Sequence, residues 1–251
     1  MSRMILAVAT AALLGAGAAS AGATTYNLAT QFSPTNSGTW TYGYFAPNNP
    51  TVPVYYTTYT LPSPFGSAVA TWSNPSLPQT AIYLTPTDAV NTSNSQVTFG
   101  SLVLLAGQAM FHPGENDEVS FYEFTAPVSG TYALNASFSG RDYVGPTDTL
   151  VSIVDSAGTI FSGVVNGYAG DSGRAAVGPS PVVNFSGNEV LTAGESVFFD
   201  VAWDPSGTRG SGPFYYDTTG IAATLTVPEP ISLVLLGTAL AGLGLARRGR
   251  I

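Results

Sequence analysis

In Gly130-Thr131-Tyr132-Ala133-Leu134-Asn135-Ala136-Ser137-Phe138, Tyr132, Leu134, Ala136 and Phe138 fall on one side of an extended chain, and Thr131, Asn135 and Ser137 on the other. Successive side chains of a strand point to opposite faces, so the segment reads as a strand with one buried face, as in antiparallel sheets. Val197, Phe199, Val201 and Trp203 repeat the pattern against Ser196 and Asp200. Ile221, Ala223, Leu225 and Val227 repeat it against Ala222, Thr224 and Thr226. Tyr132, Leu134, Phe138, Val197, Phe199, Val201, Trp203, Ile221 and Leu225 are therefore expected in the core. Turn clusters punctuate these runs at Pro127-Val128-Ser129-Gly130, Asp155-Ser156-Ala157-Gly158 and Ala193-Gly194-Glu195. With no sustained helical period between residues 22 and 227, the expectation is an all-β, antiparallel, jelly-roll-like sandwich.

Upstream, from Ala29 to about Phe99, the chain is rich in Thr, Pro, Asn and Tyr. Pro50, Pro53, Pro62 and Pro64 would interrupt a central strand, so this part reads as long loops or edge strands of the same domain.

The two ends carry targeting patterns. Ser2-Arg3 gives a charged start, Met4 to Leu14 an apolar stretch, and Ala19-Ser20-Ala21 a small-x-small site, which together read as a signal peptide cleaved after Ala21. Ala21-Gly22-Ala23 offers a second site two residues on. At the other end, Val227-Pro228-Glu229-Pro230 precedes an uncharged stretch from Ile231 to Ala246, then Arg247-Arg248-Gly249-Arg250. As a helix that stretch would be about 24 Å long, close enough to a ~30 Å hydrocarbon core for snorkelling arginines and local thinning to close the gap. The prolines mark its start, and the arginines stay cytoplasmic by the positive-inside rule.

This tail resembles the PEP-CTERM sorting signal of Gram-negative bacteria, through Pro228-Glu229-Pro230, the apolar helix, and Arg247, Arg248 and Arg250. The resemblance covers about a tenth of the chain. It implies recognition by exosortase, after signal peptidase has acted, with transient anchoring in the inner membrane and delivery to the cell surface or extracellular matrix. The region between the ends resembles a secreted module of planctomycete and PEP-CTERM proteins. The resemblance rests on Gln31-Phe32-Ser33, Trp40-Thr41-Tyr42-Gly43-Tyr44, His112-Pro113-Gly114, Phe124-Thr125-Ala126-Pro127 leading to Gly130-Thr131-Tyr132, and Tyr215-Tyr216-Asp217-Thr218-Thr219-Gly220. It implies a β-jelly roll and brings no catalytic residue with it. The expected organisation is thus a signal peptide over 1–21, a β-sandwich domain over 22–227 and a sorting tail over 228–251.

The chain has no cysteine and no lysine, with 7 Arg against 15 Asp and Glu. Between Gly22 and Val227 three Arg face fourteen carboxylates, a net charge of −11. Such a surface repels nucleic acid and anionic lipid. Stability must come from packing or bound ions rather than disulfides.

Candidate chemistry is sparse. His112 is the one histidine, which excludes clustered-histidine metal sites, and the lack of cysteine excludes thiolate zinc. A Ser-His-Asp triad would have to use His112, yet there is no Gly-x-Ser-x-Gly elbow, since Gly170-Asp171-Ser172-Gly173 lacks the spacing. Glu115, Asn116, Asp117 and Glu118 put four oxygen-bearing side chains on one turn, the donor type a calcium ion takes, although no EF-hand spacing is present. Asp142, Asp148 and Asp171 are alternative remote ligands. For sugars, ring faces beside amides and carboxylates are the useful groups, and Trp40, Tyr42, Trp72, Tyr215 and Tyr216 are the candidates. A glycoside hydrolase needs a facing carboxylate pair, and nothing in the sequence marks one out. No catalytic constellation is identifiable. The order of expectation is a structural surface or matrix protein associated with extracellular polysaccharide, then a carbohydrate-binding module, then a polysaccharide-active enzyme.

Overall fold

The computed structural model describes residues 22–74, 85–145, 147–203 and 216–228. The expected signal peptide and the expected tail helix lie outside these. No helix among the described residues is long and apolar enough to cross a membrane.

The N-terminal third forms β1 (Ala23–Asn27), β2 (Trp40–Ala46), β3 (Asn49–Tyr55), β4 (Thr58–Thr60), β5 (Val69–Ser73), β6 (Thr87–Asn91), β7 (Val97–Phe99) and β8 (Leu102–Leu104). Longer strands follow: β9 (Ala109–His112), β10 (Val119–Thr125), β11 (Gly130–Gly140), β12 (Asp148–Asp155) and β13 (Gly158–Tyr168). The last are β14 (Val177–Ser180), β15 (Val182–Leu191), β16 (Ser196–Trp203) and β17 (Thr219–Pro228). One sheet runs β15-β11-β17-β9-β6-β5-β4, with β1 also on β17, and the other runs β14-β13-β12-β16-β10-β2-β3. Every registered pair is antiparallel, for example Leu134 opposite Leu225 and Phe124 opposite Val197. The chain crosses between the two sheets from β9 to β10, β10 to β11 and β11 to β12, as in a jelly roll.

Core residues come from the alternation. Tyr132, Leu134, Phe138, Val197, Phe199, Val201, Ile221 and Leu225 are buried as expected, whereas Trp203, at the end of β16, is half-buried. Rings from the two sheets meet at Phe124 and Tyr132 (5.6 Å between centroids) and at Phe111 and Tyr122 (5.5 Å). The proline-rich segment does not stay at the margin. β2 is an internal strand between β10 and β3, while Pro50 and Pro53 sit on edge strand β3, where a missing N–H costs no ladder bond. Strand β3 lies so close to β2 that a Cβ on Gly43 would stand 2.4 Å from the Val54 carbonyl oxygen, which fixes that position as glycine.

One charge-bearing group is built into the core. Asp88, on β6, faces the opposite sheet, where Ser120 Oγ donates to its Oδ1 (2.9 Å) and Tyr56 Oη lies 2.8 Å from the same Ser120 hydroxyl. Its Oδ2 is buried and makes no hydrogen bond among the described residues. Burial holds the Asp88 carboxyl well above the usual carboxylate range.

On the outer face of the larger sheet, the β7–β8 hairpin covers β5, β6 and β9. It closes a second apolar cluster of Phe65, Val69, Ala89, Leu102, Leu104 and Met110. This lid creates the site described next.

Candidate functional site

The hairpin is fixed to the chain that leaves β11. Val103 N–H donates to the Arg141 carbonyl (2.9 Å) and Tyr143 N–H to the Ser101 carbonyl (3.1 Å). Between hairpin, sheet and the start of β17 lies a cavity of about 280 Å³. Phe65, Phe99, Leu102 and Met110 form its apolar side, while Ser101, His112, Asp142, Tyr216 and Thr218 supply the polar groups. An apolar pocket with a few convergent polar groups is the usual form of a small-ligand site.

Asp142 is its anchor. The side chain is 2 % exposed, Ser101 Oγ donates to Oδ1 (2.8 Å) and Thr218 N–H donates to Oδ2 (3.1 Å). Burial outweighs those donors and pushes its pKa up to about 6. His112 ends β9, with Nδ1 2.6 Å from the Pro113 carbonyl oxygen. A carbonyl can only accept, so Nδ1 carries the proton. Serine, histidine and aspartate thus line one cavity, but they are not wired for acyl transfer. In a triad, serine donates to histidine, whose other nitrogen donates to aspartate. Here Ser101 donates to Asp142 directly, and His112 Nδ1 is engaged by Pro113.

Of the expected sugar-contact residues, Trp40, Tyr42 and Trp72 lie in the core at 2 %, 0 % and 4 % exposure. A ring so enclosed cannot lay its face on a sugar unless the sandwich opens. Their polar tips are used internally: Trp40 Nε1 donates to Gln31 Oε1 (3.1 Å), Trp72 Nε1 to the Ser33 carbonyl (2.9 Å), and Tyr42 Oη accepts from Ser33 N–H (2.9 Å). Tyr216 lines the cavity, half-buried, and Tyr215 lies outside the described residues.

In the acidic turn, Glu115, Asn116 and Asp117 are exposed, and Asp117 takes a left-handed φ of 66°. Glu118 is directed back into the turn, where its Oε2 accepts from Asn116 N–H (3.0 Å) and its Oε1 from Asn116 Nδ2 (3.3 Å). Asp148 N–H donates to Asp217 Oδ1 (3.2 Å). Asp171 accepts from Tyr168 Oη and from Gly173 N–H (2.6 Å), and pairs with Arg174 (2.7 Å). Among the described residues, no three His, Cys, Asp or Glu are grouped to hold a metal ion.

Two further surfaces carry polar chemistry. On the outer face of the smaller sheet, Glu123 accepts from Thr41 (2.6 Å), Tyr55 (2.8 Å) and Ser196 (2.6 Å). Nearby Asp200, 8 % exposed, accepts only a long bond from Ser152 (3.4 Å), and its Oδ1 has no partner among the described residues. Burial pushes the Asp200 pKa up to about 7. On the outer face of the larger sheet, a shallow trough of about 520 Å³ runs over β15, β11 and β17, lined by Asn135, Ser137, Asn184, Ser186 and Thr224 together with apolar surface from Ala136, Phe185 and Ala222.

Among known proteins, the PEP-CTERM protein-sorting motif is found at residues 226–250. That match marks an exosortase-targeted, exported chain that passes through the membrane to the cell surface. No curated protein matches the sequence. Among solved structures, a family 35 carbohydrate-binding module from Clostridium thermocellum is similar at 15 % identity, TM-score 0.28, over 57 % of this chain and 88 % of that one. A Podospora anserina β-(1,4)-mannanase with such a module gives 15 %, 0.27, 57 % and 25 %. Tailspike protein 4 of bacteriophage CBA120 gives 12 %, 0.26, 76 % and 19 %. The chain spans about a quarter of the mannanase and a fifth of the tailspike. Likeness at these scores carries no inference about ligands.

Proposed function

We propose that the chain is a structural protein of the cell surface or extracellular matrix, associated with extracellular polysaccharide through its β-sandwich and without catalytic activity of its own. The sorting motif at 226–250 carries this reading, because a chain addressed to the surface works where matrix polymer is the abundant partner. The acidic sandwich is consistent with it. A negative surface of this size disfavours nucleic acid and anionic lipid and leaves packing against carbohydrate unopposed. In this reading signal peptidase and exosortase are its processing partners, the inner-membrane stage is transient, and no bound cofactor is needed.

The cavity favours a second reading, that of a carbohydrate-binding module. At about 280 Å³ it accommodates a single small polyol or sugar unit, with Tyr216, Phe65 and Phe99 as apolar walls and Asp142, Ser101 and His112 as polar contacts. Under this reading Tyr216→Ala weakens binding of monosaccharides about tenfold, since full burial of an aromatic side chain is worth about 1.5–3 kcal/mol. Titration calorimetry with a panel of neutral and acidic monosaccharides reads this directly. Heat of binding in the wild type that Tyr216→Ala leaves intact would move the site elsewhere, and no heat with any sugar would leave the structural reading alone.

A further inference from the structure

The outer face of β15, β11, β17 and β1 is free of charge in a molecule that is otherwise strongly acidic. Strands β1, β11 and β17 contain no Asp, Glu or Arg, and the single carboxylate of β15, Glu189, has the opposite parity and points to the other face. What the face presents is a row of amides and hydroxyls in register: Ser186 beside Asn135 beside Thr224, and Asn184 beside Ser137 beside Ala222. Ser186 Oγ donates to Asn135 Oδ1 (2.7 Å), while the amide of Asn184 and the hydroxyls of Ser137 and Thr224 make no side-chain hydrogen bond among the described residues. Asn135, Asn184 and Ser186 are exposed, and the shallow trough of about 520 Å³ lies over them.

We propose that this trough is the docking surface for a neutral polysaccharide chain. The inference rests on the polysaccharide-associated reading above and names both the site and the ligand class. Unspent amides and hydroxyls both donate and accept, as the hydroxyls of an uncharged glycan require. The one cation at this face among the described residues, Arg141, is buried at its end, where Nε donates to Ser139 Oγ (3.1 Å) and the guanidinium also donates to the Gly170 carbonyl. It therefore offers an anionic glycan little counter-charge, and the surrounding net charge of −11 repels it. A second copy of the chain is a poor occupant. Stable interfaces between copies are built around large apolar side chains, whereas here the large exposed ones, Val182 and Val190, stand at opposite ends of β15, and the trough between them adds only Ala222 and parts of Ala136 and Phe185. The strand distance between them is about 27 Å, which suits an extended polymer rather than one sugar unit.

The test uses the exported protein in native gels containing dextran, hydroxyethyl cellulose or polygalacturonate, alongside the host's own matrix polysaccharide. At least one neutral polymer should retard the wild type, to an extent that added salt leaves unchanged, and polygalacturonate should not. Asn135→Leu with Asn184→Leu should weaken retardation about tenfold, as expected for two lost hydrogen-bonding groups, with an unchanged melting temperature, while Leu150→Ala, on the outer face of the other sheet, should not alter it. If the host polysaccharide binds but the double variant binds equally well, the trough is overturned and the broader reading stands. If no polysaccharide retards the wild type, both fall. A shift from dimer to monomer in sedimentation velocity for Ser186→Arg would make the face an interface between copies and would also overturn the proposal.

Discussion

Replacing Phe199 by alanine should destabilise the sandwich by about 3–5 kcal/mol, the range for truncating a fully buried aromatic side chain. Phe199 is 0 % exposed on β16, lies opposite Tyr122 and Ile153 on the flanking strands, and has its ring 5.8 Å from that of Trp40. Its removal leaves a void bordered by both sheets, and close-packed neighbours relax only partly into such a void. In a domain of about two hundred residues the loss lowers the melting temperature by roughly 10 °C, because each kcal/mol corresponds to about 2–4 °C at this size. Leu150→Ala on the outer face, where the side chain is 38 % exposed, should cost far less. Equal losses at the two positions in thermal melts would mean that the buried face of β16 is wrongly assigned.

The second large effect is an inverted dependence on pH. Asp200 titrates at about 7 and Asp142 at about 6 in the folded chain, both raised by burial from the ordinary value of 3.8. Below the unfolded value the group is protonated in both states and its contribution to stability is fully present. As pH rises, the unfolded chain releases the proton first, so the folded state binds more protons and stability falls until the folded pKa is passed. For Asp200 the window is roughly pH 4 to 7 and the full change about 4 kcal/mol, with about 3 kcal/mol more from Asp142. Asp88 shifts in the same direction. Asp171 and Glu195, held below their ordinary values by hydrogen bonds, act the other way, but only at more acidic pH. The domain should therefore unfold at higher denaturant near pH 5 than near pH 8. Asp200→Asn should raise stability at the higher pH, barely change it at the lower, and flatten the slope between. A variant slope equal to that of the wild type would show that Asp200 ionises freely in the folded protein.

The sandwich was legible because its longest strands alternate cleanly. Tyr132, Leu134 and Phe138 announce a buried face within a few residues, and so do Val197, Phe199 and Val201. Strand β2 was harder to read. Trp40, Tyr42 and Tyr44 alternate as well, but the surrounding prolines and threonines suggested loops or edges, and only pairing with β10 shows that the segment is internal. Its rings looked like sugar contacts because burial is a property of the sheet above them, which local sequence does not carry. The cavity was still less legible. Ser101, Asp142 and Thr218 are separated along the chain and meet through the β7–β8 hairpin and the β11–β17 pairing, neither of which leaves a motif. Asp88 gave no signal either, since a carboxylate between Thr87 and Ala89 reads as a polar position until the opposing Ser120 and Tyr56 are seen.

Export sorted through the C-terminal motif is the claim on which the functional reading depends, and intact-mass spectrometry of the protein released at the cell surface tests it most directly. The expected species has lost the N-terminal residues through Ala21 and ends near Pro228-Glu229-Pro230, without the apolar stretch and the Arg247-Arg248-Gly249-Arg250 cluster. A released protein that retains its terminus through Arg250-Ile251 would contradict processing by exosortase and reduce the tail to a plain membrane anchor.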